Sequence, residues 1–245
     1  MSNLLKIEMI RLTRNKKYLI MSVGMPVVFY IIFTAMIQMP TEEIQIVFMR
    51  EYLMSMTTFS LTSFSLFTFP FEIIEDKKNG WRSLINRLPI REYEVYLVKI
   101  IKMIILFILA ISLVFLTGYL FRGVKLSIIE WIVSSLLLLF GALAFLTLGT
   151  ILSNFKEEKT ASVCANILFL GLALLGGLWF PTEQFPSWLQ SISKMTPTYH
   201  FRELAVGYIN KGSIPIVSIL AMLAYSCLFL GISYLIILKT KKSHS

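Results

Sequence analysis

Six long apolar runs dominate this chain, at residues 18–39, 52–71, 103–121, 131–155, 160–182 and 212–238, and none contains Asp, Glu, Lys or Arg. A helix of about 20 apolar residues crosses a hydrocarbon core. Lipid offers no partner for backbone N–H and C=O groups, so runs of this length must bond internally as helices. Six of them in 245 residues leave too little polar chain for a water-soluble shell around a buried core. The predicted fold is an all-α membrane protein, one transmembrane domain over residues 1–245 with six spans.

Charge predicts the orientation. With the N-terminus in the cytoplasm, the inner segments hold Lys6, Arg11, Arg14, Lys16 and Lys17, then Lys77 through Lys102, then Lys156 and Lys159, then Lys239, Lys241 and Lys242. Only Arg50, Arg122, Lys125, Lys194, Arg202 and Lys211 fall outside. Lys and Arg are retained on the cytoplasmic side during insertion, so both termini are expected there, in a multi-pass protein of the cell membrane. The net charge of +9 then reflects topology and contact with anionic lipid. Nucleic acid is not an expected partner, because no folded module remains to bind it.

Residues 1–17 are not read as a cleavable signal, because the following apolar run is too long and lacks a small-x-small site. They form either a short interfacial helix, with Leu5, Met9 and Leu12 on one face and Lys6, Arg14 and Lys17 reaching headgroups, or a plain basic flank. Cys164 and Cys227 lie within apolar runs and read as packing residues.

Catalytic and metal motifs are absent from the sequence. There is no H-E-x-x-H, C-x-x-C or G-x-S-x-G, and the two histidines are His200 and His244. No G-x-x-x-x-G-K-[ST] occurs, so this chain has no Walker loop for ATP. The span interiors also lack the ionisable groups on which proton- and ion-coupled carriers rely, with Glu72 and Glu130 at span ends. The chain reads as a transporter whose energy comes from a partner, not as an enzyme itself.

Four stretches carry a family resemblance. They are Arg14-Asn15-Lys16 ahead of a span containing Pro26; Glu75 to Trp81 running on to Leu88-Pro89-Ile90-Arg91 and Lys99; Gly176-Gly177 to Leu189; and Met195 to Tyr199. Together they resemble the six-helix permease of type-2 ABC exporters, the group that contains the daunorubicin-resistance-like drug pumps, over essentially the whole chain. The resemblance implies a second permease, identical or related, and two ABC ATPase subunits as partners. It implies that ATP and Mg are used by those subunits, with no cofactor on this chain. It also implies export, and an aromatic, hydroxyl-lined passage without buried charges suits an amphipathic or lipophilic substrate: an antibiotic, an amphipathic peptide or a lipid-linked molecule. Arg202 lies closer to Pro197 than the family's usual downstream arginine and receives no role. Ion extrusion, a secondary carrier and a membrane scaffold or immunity protein are the alternatives.

The same stretches have a physical reading. Trp81, Leu84, Ile85 and Leu88 recur at helical spacing between Gly80 and Pro89, with Arg82, Asn86 and Arg87 facing elsewhere. A short amphipathic helix of this kind either seats its apolar face in a groove of a soluble partner or lies on the membrane surface. By resemblance it is the coupling helix. Lys156, Glu157 and Glu158 form a second inner contact or a solvated turn.

Beyond Pro181, two short amphipathic helices are expected, broken near Pro197. Phe185, Trp188, Leu189 and Ile192 mark the first, while Phe201, Leu204, Ala205 and Tyr208 mark the second. Their apolar faces are expected to dip into the outer leaflet, and Pro181 and Pro186 belong to the same outer segment. By resemblance they are a re-entrant pair capping the path. In the second run Ser55, Thr58, Thr62 and Ser65 share one face beside Phe59. Such hydroxyls pack helices closely or line a passage. By resemblance, this run and the fifth, with Asn166, line the dimer interface.

Overall fold

A computed structural model describes residues 2–14, 16–81, 85 and 91–242. Those residues are almost wholly helical. The elements are α1 (Ser2–Arg14), α2 (Lys16–Met36), α3 (Glu42–Ser63), a π-helical turn (Phe64–Thr68), α4 (Phe69–Lys78), α5 (Glu92–Arg122), α6 (Ile128–Leu152), α7 (Glu158–Leu175), α8 (Ser187–Ser193), α9 (Pro197–Lys211) and α10 (Ile216–Lys242). A single 3₁₀ turn, Thr182–Gln184, precedes α8.

Local chemistry explains where these helices begin. Thr41 caps α3 by accepting a hydrogen bond from the Ile44 amide, with Glu42 and Glu43 at the positive end of the helix. Ser127 and Glu130 form a reciprocal capping box at α6, at 3.2 and 2.6 Å. Thr196 accepts from the Tyr199 amide at 3.2 Å, and Pro197 occupies the first turn of α9, where its missing N–H costs nothing.

Helices α5, α6, α7 and α10 contain stretches long and apolar enough to cross a membrane, and α2 holds a shorter one at Ile20–Met36. The apolar run at 52–71 lies on the path from α3 through the π turn into α4. Its many hydroxyls dilute its hydropathy, but its packing is unambiguous. Every residue from Tyr52 to Leu66 is buried, so this helix is enclosed on all sides by the rest of the chain. Large apolar side chains instead face outward on α7 (Val163, Ile167, Leu170) and α10 (Leu220, Leu228, Leu235), an arrangement suited to lipid and not to water.

The π turn has an identifiable cause. Pro70 lacks an amide N–H, and its ring would meet the carbonyl four residues earlier in a regular helix. Widening the turn relieves that clash, and the Phe69 amide bonds to the Phe64 carbonyl, five residues back. Gly149 of α6 lies against this turn. A Cβ there would stand 2.3 Å from the Ser65 carbonyl oxygen, so only glycine permits the approach.

The helices place the loops at two ends. One end gathers α1, the end of α4, the start of α5 and the α6–α7 connection; it is called the basic end below. The other gathers the α2–α3 and α5–α6 connections with α8 and α9.

Candidate functional site

Three carboxylates and three cations meet inside the basic end. Glu8 of α1 accepts a hydrogen bond from Lys102 Nζ of α5 at 2.6 Å and one from Arg11 at 3.1 Å. Lys102 is also ion-paired with Glu72 at 2.5 Å. Asp76 receives Arg11 at 2.6 Å and pairs with Lys99 at 2.6 Å, while Lys99 stands 3.7 Å from Glu8. Lys102 is only 1% exposed, and Glu8, Asp76 and Lys99 are also buried. The six formal charges cancel, which is the condition for keeping them out of water.

Electrostatics at Glu8 follow from this arrangement. Burial alone pushes its carboxyl up, and Lys99, Lys102 and Arg11 more than reverse that, holding it below the usual carboxylate value. Glu8 therefore stays ionised at neutral pH, and the cluster ties α1, α4 and α5 together.

The segment after α4 is anchored on the same cluster. Gly80 turns the chain with φ +70°, a backbone that other residues rarely adopt. Trp81 follows, with the Arg11 guanidinium 5.1 Å from its ring centroid. Ile85 is buried with Leu4 of α1 and Val98 of α5, and Leu5, Trp81 and Val95 pack around them. Trp81 and Ile85 thus rest on the chain's own helices, a use of their apolar surface that helical spacing alone does not specify. Leu84, Leu88 and Pro89, with Arg82, Asn86 and Arg87, lie outside the described residues, as do the side chains of Leu12, Arg14 and Lys17 in the expected interfacial face.

Beside this segment lies a cleft of about 680 Å³ lined by Phe71, Ile74, Lys78, Ser162 and residues 156–159. Lys156, Glu157 and Glu158 are exposed on its rim, and Lys78 stands 3.8 Å from Glu158.

The hydroxyls of α3 work inside the chain. Ser60 donates to the Ser22 carbonyl of α2 at 2.6 Å, and Ser63 and Ser22 share a hydrogen bond at 2.9 Å. Thr58 and Ser65 bond back to carbonyls one turn earlier, at 2.9 Å each. Among the described residues the buried Thr62 hydroxyl has no hydrogen-bond partner. Phe59 packs on Phe169 of α7 at 4.6 Å between ring centroids. Ser55, Thr58, Phe59, Thr62 and Ser65 are all buried within this chain, whereas Asn166 faces outward on α7.

The opposite end holds a residue that sequence reasoning left without a role. Arg202 of α9 is 1% exposed. Its Nε donates to Ser55 Oγ at 2.9 Å, Nη1 bonds Glu203 at 3.0 Å, and Nη2 stands 3.7 Å from Glu51. Phe201 lies against Phe145 of α6 with tilted rings 5.7 Å apart, and Phe201, Leu204 and Ala205 are buried, so this face of α9 packs on the chain itself. On helix α8, Trp188 is 65% exposed and Ile192 is exposed beside it. Pro181 precedes the 3₁₀ turn, Pro186 precedes α8, and Gln190 ties back to the Phe185 carbonyl at 2.9 Å. Pro197 is buried at the start of α9, where Thr198 donates to the Leu172 carbonyl of α7 at 2.7 Å.

Comparison with known proteins is consistent with this architecture. Residues 1–210 match the family described as ABC-2 type transporter. YvfS of Bacillus subtilis (strain 168), which carries the name of a transport permease, is 35% identical over 226 residues, covering 92% of each chain.

Proposed function

Because this chain belongs to the ABC-2 type transporter family as a permease subunit, we propose that it is the membrane path of an ATP-driven exporter. In this reading it works with two separate ABC ATPase subunits and a second permease, identical or related. Six spans cross the cell membrane, α2, the α3–α4 path, α5, α6, α7 and α10, with both termini and the basic end in the cytoplasm. Helices α8 and α9 form the outer re-entrant pair. ATP and Mg belong to the partner subunits.

The observation that carries the reading is the anchoring of the segment that begins at Gly80. Trp81 and Ile85 fasten it to α1 and α5, and the charge cluster fastens those helices to α4. A push on Trp81 and Ile85 from an ATPase is thereby passed to α1 and α5, and through the charge cluster to α4. In this reading Leu84, Leu88 and Pro89 belong to the ATPase contact, and Lys156, Glu157 and Glu158 supply a second contact across the neighbouring cleft. ATP binding in the partners biases the bundle between inward-open and outward-open states.

The cargo is amphipathic or lipophilic. The run at 52–71 carries no Asp, Glu, Lys, Arg or His, which supports an apolar cargo over a small ion. Asn166, outward on α7, is positioned to meet the second permease.

Purification from native membranes tests the assembly. A stoichiometric soluble subunit with a Walker loop is expected in the retained material. Reproducible absence of any such subunit under mild detergent, with ATP or a vanadate trap, overturns the proposal.

A further inference from the structure

Arg202 is buried at the end opposite the coupling route, and its guanidinium nitrogens reach different side chains. Nε donates to Ser55 Oγ of α3 at 2.9 Å, and Nη2 stands 3.7 Å from Glu51 of the same helix. Nη1 donates at 3.0 Å to Glu203, the next residue of α9 itself. Further along α9, Asn210 donates to Glu51 at 2.5 Å. The Ser55, Glu51 and Asn210 contacts therefore cross from α9 to α3, whereas the Glu203 contact stays within α9. The cavity where α3, the turn at Gly177 and Pro181, and α9 meet measures about 10 Å³, room for about one water molecule. The joint is closed to cargo.

This division of partners bears on movement. A buried cation stripped of its sole carboxylate is costly, and that cost would weld α9 to α3. Here the closer carboxylate, Glu203, travels with the arginine. Parting the helices at Arg202 breaks a hydrogen bond to a neutral hydroxyl and a longer ion pair, and the guanidinium stays compensated. Each side of the joint also has an anchor elsewhere. Thr198 ties the start of α9 to the Leu172 carbonyl of α7, and Gly149 of α6 fits against the Ser65 carbonyl beyond α3. Ser65 lies about 15 Å along the helix from Ser55, so a tilt about the Gly149 contact opens the joint at Ser55.

We propose that Arg202 is a positioning residue for transport: it latches α9 onto α3 while the outer end is closed, releases Ser55 and Glu51 when that end opens, and keeps Glu203 throughout. The inference rests on the exporter reading, in which this end faces outward and ATP binding in the partners opens it. The two carboxylates on one guanidinium then act in opposite senses. Glu51 holds the latch shut, and Glu203 stabilises Arg202 once it has let go.

The test is thiol labelling of the whole assembly, permease with its ATPase subunits, in lipid nanodiscs. Cys164 and Cys227 are first replaced, and the reporter is Ser55→Cys or, as a control, Ser60→Cys, whose position bonds to α2 instead. A charged thiol reagent should label Ser55→Cys slowly without nucleotide and about tenfold faster with ATP and vanadate. Ser60→Cys should stay protected in both states. Glu51→Gln should speed labelling of Ser55→Cys about fivefold without nucleotide, and Glu203→Gln should slow the labelling seen with ATP and vanadate by a similar factor. Both carboxylates are partly exposed, so neither change empties the core. Effects of the same sign would mark an ordinary structural ion cluster and overturn the proposal. Labelling at Ser60→Cys in step with Ser55→Cys would report general loosening and overturn it too. An assembly that hydrolyses ATP while Ser55→Cys stays protected overturns the latch and leaves the exporter reading standing. Recovery of the permease without any ATPase removes the exporter reading and the latch with it.

Discussion

Lys102 Nζ lies 2.6 Å from Glu8 Oε2, joining the first helix to α5 in a place where neither side chain meets solvent. Glu8 and Lys102 are 94 residues apart in sequence. Everything else at the basic end is arranged around that bond. Removing Lys102 leaves Glu8, Glu72 and Asp76 facing only Arg11 and Lys99, a buried cluster whose charges no longer cancel.

Lys102→Met is therefore expected to cost about 3–5 kcal/mol of stability, the range for breaking a buried pair from one side. Combining it with Glu8→Gln should recover part of the loss, because both charges then leave together. Thermal denaturation of the four proteins in one detergent gives the coupling. Strictly additive effects would show that the two residues act independently.

Acid should loosen the same contact. The Glu8 carboxyl sits below its ordinary value in the folded protein, so its contribution is fully present above the unfolded value near 4.5. That contribution fades as pH falls below 4.5 and through the lower folded value. Hydrogen exchange at α1 amides, followed from pH 6 to pH 3, should show protection falling in this window. In Glu8→Gln the fall should be reduced.

Gly149→Ala is expected to destabilise the protein by about 1–3 kcal/mol, the scale of an overpacked contact. The added carbon meets a backbone carbonyl, not the end of a flexible side chain, so α6 must move as a whole. Denaturation midpoints would register the change. An unaltered midpoint would show that α6 and the π turn slide past each other freely.

Sidedness has a direct chemical readout. Cysteine at Ser187 is expected to react with an impermeant thiol reagent in intact cells, and cysteine at Asn79 only after lysis. The background Cys164 and Cys227 are free thiols and should first be replaced. The reverse pattern would invert the proposed orientation.

Trp81→Ala should leave the protein inserted and partnered yet abolish most ATP-dependent transport. The indole carries both the Arg11 contact and part of the small apolar cluster, so its loss frees the segment from α1. Transport at the native rate would remove this segment from the coupling route.

The sequence makes some of this legible and hides the rest for definite reasons. The break before Pro197 and the amphipathic α8 are visible because caps and helical spacing act within a few residues. The charge cluster leaves no such mark. Lys99 and Lys102 look like ordinary inner-side cations, since topology rules count charges by loop and say nothing of which face of a helix they occupy. Arg202 stands beside Phe201 and Leu204, so apolar spacing assigns burial to its neighbours. Yet Thr198, Arg202, Ala205 and Ile209 form a continuous buried face of α9. Ser55 shows the same limit: its hydroxyl reads as packing or passage, and only the fold reveals an arginine on it.

The wide turn at Phe64–Thr68 also sets an angle. One extra residue in a helical turn rotates everything beyond it by about 100°, a single residue's share of a 3.6-residue turn. Ser60 and Ser63 before the turn point at α2, while Glu72 and Asp76 after it point at Lys102 and Lys99. Without the inserted residue these two faces would be out of phase, and one set of partners would be lost. The chain between the hydroxyl face and the acidic face is thus counted in degrees as much as in ångströms. A deletion of one residue there would shorten the helix only slightly while turning its acids away from their lysines.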